Sequence, residues 1–371
     1  LEQPARRSHG KLNFACGRRS RYVSVCRAAL KHGGDTVREP HWGAKLKRRQ
    51  FIALLGGAIA APGAAIGQTP KVYRLAVLSP GRPTSDISPD LKLLLASLAQ
   101  RGYIVDQNLI IEGPRGRFAE FSGLPQVLRD LKARRVDVVV TIGYPTALAA
   151  KQSGIPTVVA YGAGDPVATG LVDRLDRPGG GITGISDVAS TLTTKRLGLL
   201  SQLTPNIRRV AIMWNKDDLG MTLRYDASVK AAGEIGITIE PAGVRRVDDF
   251  NDAFAAMSRE PPDALLMVSD LLTNVNVRRV FDYTSERGIP AIYEYDVFAR
   301  DGGLMSYGPD LNESFDRAAA MVDRILKGAK PAELPFEQPT RYLFVLNLKT
   351  AKSMKLEIPP SLLALADEVI E

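Results

Sequence analysis

The side chains that could do chemistry in this chain fall at one kind of place, the end of a short apolar run. Ser79 and Gly81 follow the run 71–78. Thr141, Gly143, Tyr144 and Thr146 end or follow 136–142, and Tyr161 and Asp165 end or follow 156–161. Asn215 follows 209–214, Asp270 follows 264–268, Tyr293 and Glu294 close the strand that begins at Pro290, and Tyr307 ends 304–307. Small hydroxyls beside a helix start can hold a carboxylate, because free backbone N–H groups and the positive end of the dipole point there. Acidic side chains on a facing element can receive an ammonium group, and tyrosines supply flat apolar walls with a polar tip. Together these residue types describe recognition of a small amphiphilic solute. Each also has a plainer structural reading. Asp165 before Pro166 suits a helix N-cap, Asn215 and Asp270 are turn-formers, and Tyr144 and Tyr161 suit the edge of a core. Glu294 can be a solvated carboxylate at a helix start, and Trp214, inside an apolar strand, belongs to a core.

Other chemistries are excluded by what is missing. All three histidines (His9, His32, His41) and both cysteines (Cys16, Cys26) precede residue 42. From Lys71 onward there is no Ser-His-Asp or Cys-His catalysis, no histidine-ligated zinc and no disulfide. No G-x-G-x-x-G follows the first strand, and neither G-x-x-x-x-G-K-[ST] nor H-E-x-x-H occurs. The glycine cluster at 177–181 reads as a turn, and no cofactor is expected. The enzyme that stays possible is a carboxylate-based lyase, isomerase or hydrolase using Asp165, Asp270 or Glu294. A sensor lobe of a receptor would need a fused signalling segment, and none is visible.

The elements that would position these residues alternate. Strands at 71–78, 108–112, 136–142 and 156–161 are separated by helical spacing at 90–101, 124–134 and 146–152. After Ser186 the pattern restarts: helices at 192–203, 225–236, 250–259 and 276–287 alternate with strands at 209–214, 237–241, 264–268 and the run into Tyr293. A long amphipathic helix at 311–327, a strand at 342–347 and a short helix at 348–355 follow. Apolar strands alternating with helices mean parallel sheets covered on both faces, so the class is α/β with two doubly wound, Rossmann-like lobes. In such sheets ligands bind outside the carboxyl ends of the strands. The stretch 289–308, with Tyr293, Glu294, Tyr295 and the Gly302-Gly303 pair, reads as a crossing between the lobes that lines their cleft.

The 371 residues carry a formal net charge of +9, but the basicity is local. Residues 1–70 hold 13 Lys and Arg against 3 Asp and Glu. Of the totals of 49 and 40, that leaves 36 basic and 37 acidic residues, a net of −1. A nucleic-acid footprint on the body is therefore not expected. The charged run 45–49, the apolar Ala/Gly-rich stretch 51–66 and the small residues before Gln68 form an export signal with cleavage near Gly67. Arg48-Arg49-Gln50-Phe51-Ile52 also resembles a twin-arginine motif. No cysteine stands at that junction to carry a lipid anchor. Residues 1–44, opening on Leu, are Arg-rich without periodicity and read as disordered or as an over-extended reading frame.

Several long motifs, in order, carry a resemblance. They are RRQFIALLGGAIAAP, GDPVATGLVDRLDRPGGGITG (Gly164 to Gly184), IPAIYEYDVFARDGGLMSYG (Ile289 to Gly308), RILKGAKPAELPFEQPTRYLFVLNLKTAK (Arg324 to Lys352) and PPSLLALADEVIE (Pro359 to Glu371). Over residues 48–371 the chain resembles the exported substrate-binding proteins of ABC transporters in the group associated with tryptophan or tyrosine uptake. The resemblance implies a type I periplasmic-binding-protein fold with three crossings, near 184–190, 297–303 and 330–340. The first lobe would comprise 68–187 with 303–330, and the second 188–302 with 341–371. It implies a monomeric periplasmic receptor that closes on its solute and delivers it to a membrane permease. Ser79 and Thr146 would hold a carboxylate, Asp270 or Glu294 an amine, and Tyr161, Tyr293 and Tyr307 would wall the apolar part. The segment 112–118 departs from the group's aromatic-rich version. If it touches the ligand, Arg115 and Arg117 would favour an anionic aromatic acid.

Overall fold

A computed structural model describes residues 71–79, 89–113, 123–186 and 189–371, with no side-chain description for 189–191. The readings of the leader, of Gly81 and of Arg115 and Arg117 lie outside the described residues. The stretch Gln68–Glu371 forms one compact unit.

Two sheets organise it. The first contains β1 (Tyr73–Leu78), β2 (Leu109–Glu112), β3 (Val138–Ile142), β4 (Thr157–Tyr161) and β5 (Ile182–Gly184), all parallel in the order β2-β1-β3-β4-β5. Every residue of β3 and β4 is buried, as the unbroken apolar runs require of strands covered on both faces. The helices α1 (Pro89–Gln100), α2 (Leu124–Ala133) and α3 (Tyr144–Ser153) belong to this lobe. Leu91, Leu94 and Leu98 form the inward face of α1 at helical spacing.

The second sheet holds β6 (Arg209–Asn215), β7 (Thr238–Val244), β8 (Ala264–Met267), β9 (Ala291–Tyr293), β10 (Met305–Pro309), β11 (Tyr342–Asn347) and β12 (Glu368–Ile370). Its order is β12-β11-β10-β9-β8-β6-β7, and the β10–β11 pair is antiparallel while the others are parallel. Its helices are α4 (Ala189–Leu203), α5 (Leu219–Glu234), α6 (Asp249–Arg259), α7 (Leu271–Val275), α8 (Val277–Arg287) and α9 (Asp296–Arg300). The helix α10 (Leu311–Leu326) returns to the first lobe, and α11 (Leu348–Ser353) and α12 (Pro360–Leu363) precede β12. The short β5, α12 and β12 have too few residues for a periodic signal.

One crossing lies elsewhere than the sequence suggests. Residues 303–309 do not join the first lobe, because β10 pairs with β9 and β11 in the second sheet. Only α10 crosses, capped by Asp310, whose side chain accepts from Asn312 N at 2.9 Å, and packed on α1 and β4. The Gly302-Gly303 turn sits inside the second lobe. A Cβ on Gly303 would stand 2.6 Å from the Tyr293 ring, so glycine there makes room for a core tyrosine. The connections therefore run at 184–189, 309–311 and 334–342. The backbone laces them together: Ser186 N donates to Glu337 O at 2.8 Å, Glu337 N to Gly184 O at 2.9 Å, and Asp310 N to Arg341 O at 3.0 Å.

Candidate ligand-binding site

Where the carboxyl ends of the two sheets face each other, a cavity of about 200 Å³ opens between the lobes. Ser79, Asp90, Gly143, Tyr161 and Gly162 line it from the first lobe. Asp218, Ser269, Asp270, Asn274, Tyr295 and Phe298 line it from the second, and Ile142, Leu271, Val297 and Leu311 add apolar surface. Tyr161 meets Tyr295 edge-on with ring centroids 5.2 Å apart and Phe315 at 5.6 Å, so aromatic packing joins the lobes at the cavity wall. The lobes also touch at backbone level. A Cβ on Gly220 would lie 3.2 Å from Tyr144 Cβ and 3.3 Å from Ala163 O.

Two helix starts deliver the acids. Asp270 is the N-cap of α7 in a reciprocal box: its Oδ1 accepts from Thr273 N at 2.8 Å, while Thr273 Oγ1 accepts from Asp270 N at 3.0 Å. Its other oxygen accepts from Asn215 Nδ2 at 2.5 Å. Asp218 is the N-cap of α5 and accepts from Met221 N at 3.2 Å. Neither carboxylate has an ion-pair partner among the described residues. Burial, then the charge of Asp270, pushes the Asp218 carboxyl up to about 7. Burial also raises Asp270, against the hydrogen bonds from Thr273 and Asn215 that favour its charged form.

Glu294, expected at the ligand, is committed elsewhere. It is 2 % exposed, with Arg196 Nη1 at 3.0 Å from one oxygen, Arg224 Nη1 at 2.8 Å from the other and Ser269 N donating at 2.9 Å. Arg196 Nε also donates to Tyr307 O at 2.8 Å, which ties β10 into the same cluster. Ser269 thus owes its place on the cavity wall to Glu294, through its amide, while its hydroxyl has no hydrogen-bond partner among the described residues.

Of the candidate residues, Ser79, Gly143, Tyr161 and Asp270 line the cavity, and Asn215 stands behind Asp270. The other described candidates are placed away from the lining. Thr146 turns its hydroxyl back onto Ile142 O and Gly143 O, the helical hydrogen bonds open to a first-turn threonine, and cannot serve a carboxylate there. Thr141 is buried within β3. Tyr144 reaches Thr169 O at 3.3 Å and packs against Gly220. Asp165 is exposed and accepts from Val167 N and Ala168 N, so it closes a turn and not the helix start that Pro166 suggests. Tyr293 is fully buried between Phe281 and Phe298, and Tyr307 stacks near Tyr342. Trp214 is a core residue stacked on Tyr225. The lining residues that the strand-end argument passes over include Asp218, Asp90 and Tyr295. Asp90 meets Tyr161 Oη at 3.3 Å. The turn-forming Asn215-Lys216-Asp217-Asp218 after a strand is the signal that points to Asp218.

A paired-lobe α/β body with its cavity at facing strand ends can be compared with known proteins. The family described as ABC transporter substrate binding protein matches residues 94–370. This chain belongs to that family. A relative named tyrosine-binding protein, from Clostridioides difficile (strain R20291), is 22% identical over 268 residues, covering 72% of this chain and 76% of the relative. A Streptococcus pneumonia ABC domain solved in complex with L-Trp superposes with a TM-score of 0.72 at 25% identity, covering 81% of this chain and 100% of that one. A conserved domain protein from Vibrio cholerae O1 biovar El Tor gives a TM-score of 0.74 at 22% identity, again covering 81% and 100%. The architecture of this substrate-binding protein is that of type I periplasmic binding proteins. Such a protein is a solute receptor working with an ABC permease. No helix among the described residues is long and apolar enough to cross a membrane.

Proposed function

We propose that the solute is an aromatic or large apolar amino acid, captured between the lobes of a monomeric periplasmic receptor and passed unaltered to the permease. The observation that carries this reading is the cavity itself. Its lining combines Tyr161, Tyr295, Phe298 and aliphatic side chains with two buried carboxylates, Asp218 and Asp270. Aromatic walls recognise a flat apolar body, and the acids recognise a polar head. A relative named for tyrosine binding and a similar structure holding L-Trp support the same class. Release without chemistry is supported by a family of binding proteins and by the absence of His and Cys from the body. Export rests on the leader at 45–67 and its small residues before Gln68.

Thermal shift against the twenty amino acids and a set of aromatic acids, after unfolding and refolding to remove carried-over solute, tests this directly. A ligand at about 100 times its Kd adds about 2.7 kcal/mol, a shift of several degrees. Hits confined to tyrosine, tryptophan, phenylalanine or large aliphatic amino acids, each recovered intact, are the expected outcome. Conversion of the bound compound would instead make the cleft a carboxylate-based active site.

A further inference from the structure

We propose that Asp218 and Asp270, together with Ser269 Oγ and Asn274 Oδ1, receive a protonated amine, so that the cavity requires an ammonium group on its solute and rejects the deaminated acid. This rests on reading the cavity as the solute site. It adds the group that decides selection and assigns it to Asp218 rather than to Glu294.

Charge is the first argument. Among the described residues, no lysine, arginine or histidine lines the cavity, and its acidic side chains are all aspartates: Asp90, Asp218, Asp270 and Asp301. The buried pair Asp218 and Asp270 faces no cation among the described residues, and the hydrogen bonds from Met221, Thr273 and Asn215 offset only part of its desolvation cost. The second argument is independent of charge. Ser269 is 3 % exposed, lines the cavity and leaves its hydroxyl without a partner among the described residues. Asn274 Oδ1, on the same lining, is buried and unpartnered as well. Buried polar atoms in native proteins almost always have a partner, so these two atoms point to a polar group of the ligand. An ammonium group offers three N–H donors and no acceptor. Two carboxylates, an amide oxygen and a hydroxyl lone pair are acceptors, and they match it. A carboxylate placed here would meet like charge.

Glu294 cannot take this role, since both of its oxygens are held by Arg224 and Arg196 and by the amide of Ser269. Asp218 can. It accepts from the backbone amides of Met221 and Gly220, and its place at a helix N-cap tolerates asparagine. The residue can therefore lose its charge without losing the fold.

Calorimetric titration of the full chain with matched pairs tests the assignment. The pairs are L-tyrosine with 3-(4-hydroxyphenyl)propionate, L-tryptophan with 3-(indol-3-yl)propionate, and L-leucine with 4-methylpentanoate. The expected result is binding of the amine-bearing member of at least one pair, loss of its deaminated partner, and weakening by roughly 30-fold or more in Asp218→Asn, whose unfolding temperature is no lower than that of the wild type. Serine replaced in Ser269→Ala should weaken the same ligand by a smaller factor. Equal binding of both members of a pair, or an unchanged Kd in Asp218→Asn, overturns the amine assignment and leaves the solute class standing. Binding of the leucine pair alone, with the same discrimination, overturns the aromatic preference and supports the amine site. Binding of no pair overturns both.

Discussion

Two buried carboxylates of the second lobe differ only in what surrounds them. Glu294 lies between two guanidinium groups and an amide, whereas Asp218 faces another aspartate. Their behaviour should differ accordingly. Burial first, and then the nearby charge of Asp270, push the Asp218 carboxyl from its ordinary value of 3.8 up to about 7 in the folded protein. Between those values the folded state keeps a proton that the unfolded chain has released. Stability therefore falls as pH rises through that window and levels off above it. About three pH units at about 1.4 kcal/mol each make this on the order of 4 kcal/mol. Asp218→Asn should remove that slope. In urea unfolding, the variant should gain on the wild type as pH rises from about 4 to about 7, and a difference independent of pH would contradict the assignment. Glu294 gives the opposite case. Glu294→Gln leaves two buried guanidinium groups against a neutral amide and should cost about 3–5 kcal/mol of unfolding free energy. A loss below about 1 kcal/mol, the range of an exposed pair, would mean that water reaches the cluster.

At the scale of single elements, α5 joins ligand and closure. Its N-cap, Asp218, is on the cavity, and two residues later Gly220 touches the first lobe. Alanine at 220 adds a Cβ 3.2 Å from both Asp218 Oδ1 and Tyr144 Cβ, yet it suits a helix better than glycine by about 1 kcal/mol. Gly220→Ala should thus leave unfolding stability equal or higher while weakening solute binding by about 1–3 kcal/mol, the usual cost of overpacking. Parallel loss of both would place the contact within the lobe's own folding. The same helix marks where sequence reading runs out. Strands and their ends are legible because unbroken apolar runs fix them, and Ser79, Gly143, Tyr161 and Asp270 came with those ends. Asp218 did not, because Gly220 in the first turn hides a helix start that the spacing places at 225 instead of Leu219. The role of Glu294 is hidden for a different reason. Its partners Arg196 and Arg224 are 98 and 70 residues away in the chain, and no local pattern reports such a pairing. The crossing at 309 was hidden too, since Gly302-Gly303 has the composition of a hinge but serves the packing of Tyr293.

For the whole molecule, the proposed closure has to bend three connections that the backbone holds together. Ser186 with Glu337 joins the first to the third, and Asp310 with Arg341 joins the second to the third, reinforced by Arg341 Nη1 at 3.3 Å from Asp310 Oδ2. Each lobe keeps its own sheet, with β3, β4 and β8 buried throughout. Closed and open forms should therefore differ by rotation of intact lobes about this laced strip, not by remodelling of either one. A solute that contacts both lobes then slows opening without changing the sheets. Amide hydrogen exchange separates the two cases. Saturating solute should slow exchange at cavity and crossing amides, such as those of Gly220, Leu271 and Asp310. Core amides of β3 and β8 should exchange at the global unfolding limit and change only by the overall stabilisation. Protection that instead spreads selectively through the strands of one lobe would mean that the solute orders that lobe, and rigid closure would be the wrong description.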